Sequence, residues 1–211
     1  MKYVGRIAAI LVVIVFNVLR YFYYHYYLGL PFKANFFILT IIFLAIAAWC
    51  GKQYDLVKYY SEKDPLTDTF NRRTVEQHFK NFLKDCKKEN KKLAVIMMDL
   101  NKFKEINDTY GHNKGDELLS HFAYLIKKSV KNNDVVARWG GDEFLILVPD
   151  SKDDFESIYI QELQQKLASE NFEKFSSVGV SLGFAIYPDD GQSLQELIQK
   201  ADGAMYKAKG A

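Results

Sequence analysis

Three carboxylates, Asp99, Asp142 and Glu143, stand where strand-like runs end or begin. Asp99 lies near the end of the apolar run LAVIMMDL, Leu93 to Leu100, while Asp142 and Glu143 follow the glycine pair in ARWGGDEFLILVP. A glycine pair between two strand-like runs is a hairpin signal, which places Asp142 and Glu143 at the tip. If the two strands are neighbours, the three carboxylates converge at one sheet edge. Hard oxygen donors of this kind suit Mg²⁺, which takes one or two carboxylates and fills its shell with water and phosphate oxygens. Bare glycines let a large ligand approach the backbone. Lys104, five residues after Asp99, is placed to neutralise phosphate. The same spacing also fits a plainer reading, in which Asp142 and Glu143 are polar turn residues only.

The elements that must position these residues begin at Asp64. A helix is expected over about 72–88, a buried strand over 93–100 and a helix over 115–130. The strands DVVARW and EFLILVP flank the glycines, and a helix is expected around 155–169. A strand in VGVSLGFAIYP and a last helix over 194–209 complete the pattern. Such alternation implies a sheet covered by helices.

The first fifty residues have another character. IAAILVVIVFNVL is followed by Arg20 and the aromatic block YFYYHYY, and FFILTIIFLAIAAWC comes next. Runs of this length reach the roughly 20 residues of a bilayer span by including flanking residues, with tyrosines at headgroup level. The reading is two transmembrane helices within 1–50, about 7–27 and 34–51, then a helical connector over 51–63 and a catalytic domain over 64–211. A pair of buried core helices is the competing reading. Lys2, Arg6, Lys52, Lys58 and Lys63 outside the spans outweigh Arg20 and Lys33 between them, which favours both ends in the cytoplasm and a cytoplasmic-membrane location. A net charge of +2 gives no sign of a nucleic-acid partner. Cys50 and Cys86 form no framework pattern, which fits a reducing compartment.

Four blocks in order resemble the GGDEF diguanylate cyclases: DPLTDTFNRR, MMDLNKFKEINDTYGHNKGDELL, RWGGDEF, and the closing SLGFAIYPDDG with ADGAMYKAK. The resemblance implies an α+β fold of the nucleotide-cyclase and polymerase-palm kind, with a central, mostly antiparallel sheet flanked by helices. It implies condensation of two GTP into cyclic di-GMP and two pyrophosphates by a homodimer, each domain holding one GTP. By resemblance, Asp99, the Leu100 carbonyl, Asp142 and Glu143 hold two Mg²⁺, for which Mn²⁺ can substitute. Asp142 is also the proton acceptor for the 3′-hydroxyl. Lys104 and Lys209 match phosphate contacts, Asn107 and Asp116 match guanine-reading positions, and His112 matches a further substrate contact. Phe103, Phe144, Leu66 and Tyr206 are read as packing residues.

Two departures matter. Where many relatives carry Arg-x-x-Asp for product inhibition, this chain reads KNND, with Lys131 and Asp134. Lysine lacks the planar fork of arginine, so weak product inhibition is expected. The sequence stops at AKGA, before the family's Gly-Arg-Asn element, so the family's phosphate-contacting arginine has no counterpart in it, which puts full activity in question and leaves the metal site untouched. The alternative function is a catalytically silent receptor or scaffold that binds GTP or cyclic di-GMP. The spans and connector are expected to set dimer geometry on the lipid bilayer and thereby control the meeting of half-sites.

Overall fold

The computed structural model describes residues 3–31, 34–151, 155–169 and 179–209. Lys2 and Lys33, used in the charge argument, together with Val178 and Gly210–Ala211, lie outside them. The chain divides into two units, Met1–Ser61 and Glu62–Ala211.

In the first unit α1, Val4–Phe22, runs into a π-helical turn, Tyr23–Tyr27, and α2 spans Ala34–Glu62. Thus α2 takes the expected second span and the connector as one helix. The two helical stretches, 24 and 29 residues, are long and apolar enough to cross a membrane. α1 buries no residue, and side chains such as Ile7, Val12 and Leu19 are exposed around it. Apart from the face that meets α2, its apolar side chains are left uncovered among the described residues. The helices touch antiparallel. Thr40 Oγ1 donates to Asn17 Oδ1 at 2.8 Å, and Arg20 Nη2 donates to the Phe36 carbonyl at 2.9 Å. At the other end a Cβ on Gly51 would come 2.6 Å from Arg6 Cα, so the backbones themselves meet there. Asp55 accepts from the Gly5 amide at 2.7 Å beside that contact.

The second unit is a five-stranded sheet of order β1-β3-β4-β2-β5. The strands are β1 Phe70–Asn71, β2 Lys92–Leu100, β3 Val135–Arg138, β4 Glu143–Ser151 and β5 Val180–Tyr187. Only the β1–β3 pair is parallel. β2 lies between β4 and β5, and Leu93 to Met98 are fully buried, which is why its sequence is a continuous apolar run. Helices cover both faces: α3 Arg72–Glu89 and α7 Leu194–Lys209 on one, α4 Phe103–Tyr110 and α5 His112–Ser129 on the other, with α6 Gln161–Ser169 beside them. Odd-numbered β2 residues such as Val95 and Met97 face α3 and α7, while Ile96 and Met98 face α4 and α5. Phe122 meets Phe144 edge-on at 5.2 Å in the second of these cores.

Three differences from the expected elements have physical causes. The helix expected over 115–130 is preceded by α4, whose sequence KEINDTY buries only Ile106 and so carries little apolar signal. β1 is two residues long, too short for any periodicity. Tyr206, read as packing, is 79% exposed, because α7 presents Leu197, Ala201 and Met205 to the sheet instead.

Candidate functional site

The strands expected to be neighbours are paired, and Asp99 stands directly opposite Glu143 in the β2–β4 register. On its other side Asp99 faces Ser181 of β5. The three side chains share the face that α7 covers. Like charges directly opposite each other across a sheet repel, and nothing in the fold of the strands requires them. The β3–β4 turn adds Asp142 at its tip, where Trp139 N donates to the Glu143 carbonyl at 2.8 Å. A Cβ on Gly140 would stand 3.0 Å from Glu143 Oε2, and one on Gly141 would meet open space. The turn therefore leaves one side free for a ligand.

Arg138 fixes this tip. Its Nε and Nη2 both donate to the Gly141 carbonyl, at 2.9 and 2.8 Å, and Nη1 reaches Asp64 Oδ1 at 3.4 Å. Asp64 in turn accepts from the Thr67 amide at 2.9 Å and the Thr67 hydroxyl at 2.8 Å. Burial alone would raise the Asp64 pKa, but the Thr67 bonds and then Arg138 outweigh it and hold the carboxyl below its ordinary value. The signature turn is thereby tied to the start of the second unit.

α7 supplies the charges over the carboxylates. Gly183 lets α7 lie directly on β5, since a Cβ there would stand 3.0 Å from Met205 Cα. Lys209 Nζ donates to Asp99 Oδ1 at 2.6 Å, with the Asp99 side chain 14% exposed and the lysine 42%. Two helical turns earlier Asp202 carries an Oδ1 that is occluded and, among the described residues, has no hydrogen-bond partner. Burial raises the Glu143 pKa first, followed by Asp202, Asp99 and Asp142, with Lys209 opposing. Asp142 is also raised by burial and by Asp99, against its own backbone amide, Lys209 and Arg138. Burial raises Asp202 as well. The sheet edge carries negative charge that one ammonium does not neutralise.

Among the described residues no three acidic, histidine or cysteine side chains stand close enough together to enclose a cation. Lys209 holds the counter-charge on Asp99. The donor set nevertheless fits Mg²⁺ with a nucleotide: carboxylate oxygens in mutual repulsion, with water and phosphate oxygens completing the shell. Leu100 is 1% exposed and its side chain belongs to the core against α4 and α5.

The remaining residues lie on α4 and α5. The chain reaches α4 through Lys102 in the left-handed region at φ 62°, with Asn101 N donating to the Gly179 carbonyl at 2.8 Å and Asn101 Oδ1 accepting from Ser181 Oγ at 2.7 Å. Lys104 is exposed on the first turn of α4, and Asn107 follows one turn later, half-buried. The elbow at Gly111, φ 81°, starts α5, on which His112 and Asp116 are exposed one turn apart. Asn107 abuts Gly115, the residue before Asp116. Lys131 and Asp134 form a turn elsewhere. The Lys131 amide donates to Asp134 Oδ2 at 2.7 Å, and Tyr159 Oη donates to the same oxygen at 2.5 Å. Burial raises the Asp134 pKa against these bonds, and Tyr159 is pushed above its ordinary range by burial and by Asp134.

Sequence reasoning assigned no role to Arg138 or Asp202. The tie from Arg138 to Asp64 joins segments far apart in sequence and leaves no local pattern. Asp202 had a weak signal, since it lies two helical turns before Lys209 on an amphipathic helix.

Residues 61–211 match the family described as diguanylate cyclase, GGDEF domain. The bifunctional diguanylate cyclase/cyclic di-GMP phosphodiesterase MucR of Pseudomonas aeruginosa is 36% identical over 149 residues, 69% of this chain and 22% of that protein. The diguanylate cyclase DosC of Escherichia coli is 36% identical over 151 residues, 69% of this chain and 32% of its own. The chain thus spans less than a third of the length of these relatives. Among solved structures, a sensory box/GGDEF family protein from Caulobacter crescentus superposes with a TM-score of 0.63 at 34% identity, covering 71% of this chain and 98% of that one.

Proposed function

The chain belongs to the GGDEF-domain family, and on that premise we propose that it is a diguanylate cyclase anchored in the cytoplasmic membrane. The observation that carries the reading is the repelling carboxylate row, Asp99 opposite Glu143 with Asp142 at the tip, which calls for cations and a polyphosphate. Asp99, the Leu100 carbonyl, Asp142 and Glu143 would hold Mg²⁺. When bound, Mg²⁺ supplies positive charge against the charge developing on the transferring phosphorus.

Each domain binds one GTP, and two domains meet as a homodimer. The 3′-oxygen of each ribose bonds to the α-phosphorus of the other GTP, the bond to pyrophosphate breaks, and Asp142 accepts the hydroxyl proton. Lys104 and Lys209 bind phosphate oxygens, and Lys209 leaves Asp99 to do so. Asn107 and Asp116 read the guanine, because a carboxylate at Asp116 accepts from the N1–H and N2–H edge that adenine lacks. His112 contacts substrate beside them. Lys131 and Asp134 form a poor product-inhibition site, with Asp134 already engaged by Tyr159.

The test is to incubate the full chain in detergent with GTP and Mg²⁺ and resolve the products, with Asp142→Ala alongside. Cyclic di-GMP that disappears in the variant supports the proposal. Bound nucleotide without product makes the chain a silent receptor.

A further inference from the structure

Helix interiors disfavour glycine relative to alanine, yet Gly115 is buried at the fourth position of α5. Its neighbours explain why. A Cβ at this position would overlap Asn107 Oδ1, stand 2.9 Å from Asn107 Cγ and lie 3.2 Å from Phe103 Cζ. At Gly51 and Gly183 the nearest atoms are backbone, so those glycines serve close approach of the chain itself. At Gly115 the three nearest atoms are all side-chain atoms, and the closest belongs to the Asn107 amide. Among the described residues the Asn107 Oδ1 is occluded and has no hydrogen-bond partner. The next residue along α5 is Asp116, exposed.

We propose that Gly115 is a positioning residue for base recognition: the space left by its missing side chain houses the Asn107 amide in the one orientation that serves a guanine beside Asp116. This rests on the reading of the site as a guanine-nucleotide site. It assigns specificity to a residue with no polar side chain. Gly115 acts only through Asn107, so its effect must depend on what occupies position 107.

The experiment is a double-mutant cycle on the full chain in detergent, with Gly115→Ala, Asn107→Ala and the pair, comparing GTP with ATP, which lacks the 6-oxo acceptor that the Asn107 Nδ2 donor can serve. Turnover and nucleotide binding are both measured. In the wild type GTP is preferred. In Gly115→Ala the KM for GTP is expected to rise about tenfold, the size of one lost polar contact, with kcat little changed and the preference over ATP reduced. In the Asn107→Ala background, Gly115→Ala should have no further effect. Effects that multiply in the pair, or an unchanged GTP preference in Gly115→Ala, overturn the proposal. If Gly115→Ala does not fold, the pair must fold, because shortening residue 107 removes the overlap; a pair that is also unfolded overturns it. A wild type that binds neither nucleotide would overturn the guanine-site reading itself, an outcome distinct from the others.

Discussion

Arg138→Met removes a cation from the signature turn while keeping an apolar stem of similar length. Two donors of the wild-type guanidinium fall on one oxygen, the Gly141 carbonyl, at 2.9 and 2.8 Å. They count as one charge-assisted interaction of about 1.5–3 kcal/mol. The contacts to Asp64 are long, 3.4 and 3.5 Å, and each side chain is 20% exposed. They add at most about 1 kcal/mol after solvent screening. The tip therefore loses about 2–3 kcal/mol, with the Gly141 contact dominant. Expressed as global unfolding, this lowers the thermal midpoint by roughly 4–12 °C for a domain of this size. Expressed as disorder of the turn that carries Asp142, it lowers turnover by up to about 100-fold. The assay is cyclic di-GMP formation at saturating GTP and Mg²⁺ by the full chain, with thermal melting of the same preparation and Asp64→Asn as comparator. Turnover should fall more than about tenfold in Arg138→Met and less in Asp64→Asn, because the Gly141 carbonyl receives the shorter bonds. A variant that melts early yet turns over within about twofold of wild type would refute this reasoning, since the clamp would then hold the fold and not the site.

Other consequences can be checked directly. The raised pKa of Glu143 means that the folded chain keeps this proton to higher pH than the unfolded chain. Folding therefore loses stability as pH climbs from the unfolded to the folded value, and stays weaker above both. In chelator-treated buffer Glu143→Gln should raise the thermal midpoint at neutral pH, with the gain vanishing under acid conditions; equal midpoints at neutral pH would contradict this. Lys131→Arg alone should leave product inhibition weak, because Tyr159 Oη occupies Asp134 Oδ2. Adding Tyr159→Phe should strengthen inhibition about tenfold, and strong inhibition in the single variant would show that Tyr159 is no obstacle. Inserting one to four residues near Lys58 should make cyclase activity rise and fall over about one helical turn; a flat response removes the connector from regulation.

Much of this was legible in sequence because burial writes itself into composition. LAVIMM and FLILV are continuous apolar runs because β2 and β4 are covered on both faces, and their pairing puts Asp99 opposite Glu143. The ammonium of Lys209 on Asp99 was not legible: the pair is 110 residues apart, and its proximity depends on how Gly183 seats α7. The expected phosphate role of Lys209 said nothing of its carboxylate partner. The part played by Gly115 was hidden for a related reason. A glycine in a helix reads as a weak point until the side chain that fills its space is known. Arg138 stood beside the signature, but its target is a backbone carbonyl, which no residue pattern marks.

The most direct measurement is to locate Mn²⁺, in place of Mg²⁺, by anomalous diffraction from crystals grown with a non-hydrolysable GTP analogue. The expected result is a cation bound by Asp99 and Asp142 against the triphosphate, with Lys209 Nζ moved from Asp99 onto a phosphate oxygen. A cation held away from these carboxylates, with the Lys209–Asp99 pair intact, would contradict the assignment of this sheet edge as the catalytic site.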